Sequence, residues 1–169
     1  FGRRVFRRPL NAEEVGRYVA VIVAAADFDA GVRQVSQWLL SSPHFLYRSE
    51  LGVLQPDGTA RLTPWELATA LSFTLLQTTP DDALLDAAAQ GRLSSSDDVA
   101  REARRLLLDP RARAALRGFS TQWLGLERLN TLDKSPVRFP SFTPELRASM
   151  AAETPAFFEH VVFDGSGRF

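Results

Sequence analysis

Apolar residues recur along this chain at spacings of three and four, the period of a helix with one buried face. Val15, Tyr18, Val19, Ile22, Val23 and Ala26 share one face, and Val32, Val35, Trp38 and Leu39 form a second stripe. Leu67, Ala68, Leu71 and Leu75 make a third, followed by Val99, Ala103, Leu106 and Leu107, then by Ala112, Leu116, Phe119, Trp123 and Leu126. The last stripe holds Leu146, Met150, Phe157 and Val161. No segment alternates with period two between turn signals, so no strand is predicted.

The starts of these helices are written in a repeated pair. Ser42-Pro43, Thr63-Pro64, Thr79-Pro80, Asp109-Pro110 and Thr143-Pro144 each place an oxygen-bearing cap before a proline. Proline at the first helical position loses nothing by lacking an N–H, and its φ suits the helix. Thr63 with Glu66, and Asn11 with Glu14, have the spacing of a reciprocal capping box. The pattern predicts an all-α chain, an irregular orthogonal bundle of about seven or eight helices. The turn-rich stretch from Gly52 to Ala60 divides it into a short domain, 1–52, and a larger one, 61–169, expected to pack as one unit. The stripe from Val15 to Ala26 is expected to be buried in that packing, because a piece of some fifty residues has a marginal core alone.

Composition adds exclusions. Lys and Arg together number 20, as do Asp and Glu, so no net field draws the chain to nucleic acid or an anionic membrane. Nineteen of the basic residues are Arg, yet no nucleic-acid motif accompanies them. The chain has no cysteine, which removes disulfides, thiolate metal sites and thioether-linked haem from this segment. Its longest apolar run, Tyr18 to Ala26, is too short to span a bilayer.

Phe6-Arg7-Arg8-Pro9-Leu10, Glu13-Glu14 and Ser42-Pro43-His44-Phe45-Leu46-Tyr47-Arg48 resemble the short first domain of planctomycete-type surface proteins that carry c-type cytochrome modules. Leu62-Thr63-Pro64-Trp65-Glu66-Leu67-Ala68, Leu107-Leu108-Asp109-Pro110-Arg111-Ala112 and Gln122-Trp123-Leu124-Gly125-Leu126 resemble the larger domain that follows it. The resemblance departs at Leu71-Ser72-Phe73-Thr74-Leu75-Leu76-Gln77, where the family has a more aromatic run. It implies an exported protein, periplasmic or at the cell surface, with haem c held by other domains of the same polypeptide and no cofactor in this segment. It assigns no reaction.

No nucleophile triad, nucleotide loop or metal-ligand cluster is legible. Four residues stand out as candidate functional or buried polar groups. Glu153 falls in the stripe of the last helix and is expected to be buried against an Arg, a His or a helix end. His44 is a candidate acid/base or ligand, or a hydrogen-bonding joint to a neighbouring loop. Arg48, beside Tyr47, is expected to clamp a carboxylate from another helix. His160 lies near Glu153 in sequence, but two such ligands make no metal site. Asp81-Asp82 and Asp97-Asp98 read as helix-start anions. The expected function is a helical module for domain docking or ligand presentation near a redox centre. The alternatives are part of the haem or substrate pocket of an oxidoreductase, and a surface scaffold binding polysaccharide or protein. The sequence leaves open whether the whole protein is an enzyme.

Overall fold

The computed structural model describes residues 1–168. It is all-α, with nine α-helices among the described residues: α1 (Gly2–Phe6), α2 (Ala12–Ala24), α3 (Phe28–Ser41), α4 (Pro43–Leu46), α5 (Pro64–Leu76), α6 (Asp82–Ala89), α7 (Ser96–Leu107), α8 (Pro110–Trp123) and α9 (Pro144–Glu159). A 3₁₀ helix, Leu126–Thr131, and a π-helical turn, His160–Asp164, complete the helical parts. The joint between Gly52 and Leu62 forms a small hairpin that the sequence pattern does not predict. Its strands β1 (Val53–Leu54) and β2 (Ala60–Arg61) pair antiparallel, Val53 opposite Arg61. Both strands are exposed, so they carry no buried alternation to reveal them.

Most of the caps act as the sequence predicts. Ser42 accepts from the N–H of His44, Asp109 from that of Arg111 and Thr143 from that of Leu146. Both capping boxes form: Asn11 with Glu14, and Thr63 with Glu66. Thr79-Pro80 is the exception. Here the cap is Asp81, whose carboxylate accepts from Leu84 N–H, and Pro80 lies outside the helix and buried.

The chain divides into two compact units, 1–74 with 78–104, and 75–77 with 105–169. The cut falls inside α7, elsewhere than at the 53–60 joint. In the first unit α2 and α3 form an antiparallel hairpin, closed where the Gly31 backbone meets α2 near Ile22. A core of Val5, Phe6 and Leu39 is packed by Leu10, Tyr18, Val35 and Phe45. Leu84, Leu85, Ala87, Ala88 and Leu93 are buried in the same unit. The α2 stripe differs from expectation: Val15, Val19 and Val23 are exposed, at 46%, 50% and 79%. From that stripe Tyr18 packs on the Val5, Phe6 and Leu39 core and Ile22 is partly covered where Gly31 approaches it, so the face is shared between core and solvent. In the second unit α8 packs on α9, with Ala112, Ala115, Ser120, Pro155 and Val161 buried. No helix among the described residues is long and apolar enough to cross a membrane.

Candidate functional site

The motif residues of the first fifty positions meet those of α5 around one side chain, Arg7. Its backbone is left-handed, φ 57°, which a non-glycine residue adopts at a cost. That geometry ends α1 and sends the side chain inward, where the residue is 5% exposed. The guanidinium donates to the carbonyl of His44 at 2.6 Å, of Tyr47 at 2.7 Å and of Phe45 at 3.3 Å. These are the carbonyls a four-residue helix leaves unpaired at its end, so Arg7 acts as a cap for α4 from some forty residues away. Burial, with the charge of Arg48 adding to it, pushes the Arg7 guanidinium below its usual pKa. Arginine stays charged regardless.

Beside it lies a second, compensated group. Arg8 grips both oxygens of the buried Glu14, at 2.8 and 2.9 Å, and Glu14 also accepts from the N–H of Asn11. The Arg8 hydrogen bonds, reinforced by Asn11 and opposed by burial, hold the Glu14 carboxyl down to about 2. His44 stands at the edge of this pair. Its Nε2 is 3.8 Å from Glu14 and 3.4 Å from Arg8, its ring lies 4.8 Å from Phe6, and half of its side chain is in solvent. A recess of about 360 Å³ opens here, lined by Arg7, Arg8, His44, Trp65, Glu66 and Thr69 among others.

Glu66 forms the far wall and is spent on the main chain. One oxygen accepts from the N–H groups of Leu51 and Gly52 at 2.9 and 3.1 Å, the other from Thr63 N–H at 2.8 Å. Burial raises its pKa, but the amides of Thr63, Gly52 and Leu51 outweigh that, and the net shift is downward. Gly52 is required for this turn. Its φ is +65°, and a Cβ would sit 2.8 Å from the Arg61 carbonyl oxygen.

The four sequence candidates fare differently. His44 is in the recess. Tyr47 contributes its carbonyl, while its side chain is 68% exposed. Arg48 clamps no carboxylate among the described residues. It lies over the ring of Phe73, with Cζ 4.8 Å from the centroid, because the chain leaves α4 extended and brings it alongside α5. Glu153 is a correction: it is exposed and has no hydrogen bond or ion pair among the described residues. The buried side of α9 is instead marked by Pro155, with Ala151, Thr154 and Phe158 partly covered, and is continued by Val161 in the π-helical turn that follows. Leu146, Met150 and Phe157 stay 38–53% exposed, so within α9 the stripe that carried Glu153 is not the packing face, and its one buried member, Val161, lies beyond the end of α9. Apolar residues are spread around this helix, and their period alone does not choose a side.

Asp82 pairs with Arg4, and Asp98 caps α7 by accepting from Ser95. The buried acids Glu14 and Glu102 and the half-buried Glu66 are residues the sequence analysis read as caps or not at all. Glu14 and Glu66 had only their capping spacing, and Glu102, 6% exposed with Arg92 Nη1 3.9 Å away, had no signal but its place on α7. No group of three or more His, Asp or Glu side chains placed to hold a metal occurs among the described residues.

The model for PSD4, described as a protein of unknown function (DUF1592), matches residues 62–169, well over half of the chain. The chain belongs to the DUF1592 family. Residues 1–50 match a second such model, PSD5, described as a protein of unknown function (DUF1595). Neither a curated protein nor a solved structure matches the chain. The Arg7 joint thus ties the DUF1595-like segment to the first helix of the DUF1592 region, and both ends of the joint lie in the first compact unit.

Proposed function

We propose that this chain is a non-catalytic helical docking module of a larger, exported protein linked to c-type cytochromes, whose haem c sits in other domains of the same polypeptide. What supports the docking role is the use made of Arg7 and Glu66. The residues that distinguish the sequence bind main-chain carbonyls and amides across a joint: Arg7 holds the end of α4, and Glu66 holds the Leu51 and Gly52 amides. The export and the cytochrome link come from the resemblance of the Phe6-to-Leu10 and Ser42-to-Arg48 motifs.

The competing oxidoreductase reading makes His44 and the recess beside it part of a haem or substrate pocket. The two separate in the intact parent polypeptide. His44→Ala is expected to leave turnover of the parent unchanged, and added haem to leave the Soret band of this chain's solution unperturbed by binding. Loss of turnover at an unchanged melting temperature, or a saturable Soret shift abolished by His44→Ala, overturns the docking role.

One observation favours a surface scaffold as the second reading. In the second unit Phe119, Trp123 and Phe157 are 52%, 64% and 53% exposed, and the Phe119 and Trp123 rings stack at 5.6 Å. A patch of that kind suits a sugar face or an apolar protein surface.

A further inference from the structure

Two guanidiniums share one aromatic ring on α5. Arg48 Cζ lies 4.8 Å from the centroid of Phe73 and Arg7 Cζ 5.8 Å from it. The two are not equivalent. Arg7 is buried and its N–H groups are used by three carbonyls, whereas Arg48 is exposed. Among the described residues no carboxylate pairs with either. Elsewhere in the first unit arginines of this segment do have acids: Arg3 with Asp86, Arg4 with Asp82, Arg8 with Glu14 and Arg17 with Glu13. The Phe73 ring therefore carries two neighbouring positive charges that the chain leaves uncompensated.

The ring also orients Arg48. A guanidinium lying over an aromatic face keeps its rim of N–H donors free for an acceptor in its plane. Around it Leu46, Tyr47 and Leu51 are exposed, at 61%, 68% and 80%. Arginine and tyrosine among exposed apolar side chains are the composition of a protein-binding hot spot, and a phosphate-tracking surface would be more uniformly basic.

We propose that Arg48, seated on Phe73 and flanked by Leu46, Tyr47 and Leu51, is the docking point for an acidic and apolar segment of another polypeptide or domain, whose carboxylate completes the charge balance at Arg7 and Arg48. The inference rests on the docking role and names its chemistry: a bidentate carboxylate in the guanidinium plane, with an aliphatic neighbour against Leu46 and Tyr47.

The test uses the full chain, labelled with ¹⁵N, and a blocked peptide of alternating glutamate and leucine as probe. The Arg48 Nε–Hε resonance is expected to shift saturably with this peptide. The glutamine counterpart, and inorganic phosphate at matched ionic strength, are expected to bind at least fivefold more weakly. Arg48→Gln is expected to weaken the glutamate peptide at least fivefold while lowering the melting temperature by no more than about 2 °C, because among the described residues Arg48 makes no hydrogen bond or ion pair and only lies over the ring of Phe73. Equal binding of the glutamine peptide, a phosphate shift of the same size, or full retention in Arg48→Gln each overturns the proposal. Failure here leaves the turnover and haem experiments on His44 untouched, so the two readings fall separately.

Discussion

Ser72 is the residue whose surroundings fit it least. It is wholly buried on α5, between Ala68 and Leu76 on the same face, and its hydroxyl has no hydrogen-bond partner. An unsatisfied buried hydroxyl costs about 1–3 kcal/mol, and alanine removes it while leaving only a small void. Ser72→Ala is expected to stabilise the chain by about 1 kcal/mol, which raises the melting temperature by about 2–4 °C. A drop in melting temperature would mean that the hydroxyl has a partner after all. At this scale the sequence speaks through local chemistry only. The caps at Asn11, Ser42, Thr63, Asp109 and Thr143 were legible because a cap acts on amides two or three residues away. Arg7 was not, since its three acceptors lie 37–40 residues further on and nothing local marks it. Glu153 failed for a related reason: a stripe shows which positions are apolar, while burial depends on which side the neighbouring helix occupies.

Between elements, the α2–α3 hairpin has a test built into its two glycines. Gly31 lies where α3 meets α2, and an added Cβ would be 2.8 Å from the Ile22 Cα, a backbone atom that cannot step aside. Gly16, on α2, has nothing within 4 Å of its Cβ position. Helix propensity favours alanine over glycine by about 1 kcal/mol at both places. Gly16→Ala is therefore expected to stabilise by about that amount. Gly31→Ala is expected to destabilise by about 1–2 kcal/mol, since overpacking exceeds the propensity gain. Chemical denaturation of the two variants reads the difference directly, and similar effects at both positions would refute the close approach. The elements themselves were largely legible, helix type above all. The β1–β2 hairpin was not, because two-residue strands with no buried side have no period to detect.

For the molecule as a whole, the charge balance predicts how it responds to acid. Glu14, Asp98 and Asp109 are each held down to about 2, by Arg8, Arg101 and Arg111 respectively above all else. A carboxylate whose folded pKa lies below its unfolded value stabilises the fold at pH above the unfolded value, near 4–4.5, and that contribution is lost as pH falls toward 2. The melting temperature is thus expected to be flat from pH 7 to about 5 and to fall steeply below 4. Asp98 and Asp109 are exposed and contribute through screened contacts, so the buried Glu14 dominates. Glu14→Gln is expected to lower the melting temperature at pH 7 and to flatten the fall between pH 4 and 2. An unchanged acid limb in that variant would remove Glu14 as its cause.

The carboxylate of Glu66 has a different kind of consequence. On the far side of its turn it holds only peptide N–H groups, those of Leu51 and Gly52, and every residue other than proline supplies one. Recognition at that seam is indifferent to side-chain identity. Over evolutionary time the segment before the seam can drift, or be exchanged for another that ends in the same turn, while Glu66 goes on receiving it. The constraint that remains at that seam is conformational, a glycine at position 52, and the choice of side chains is left to the contacts of Arg3, Arg4 and Arg7 further back in the segment.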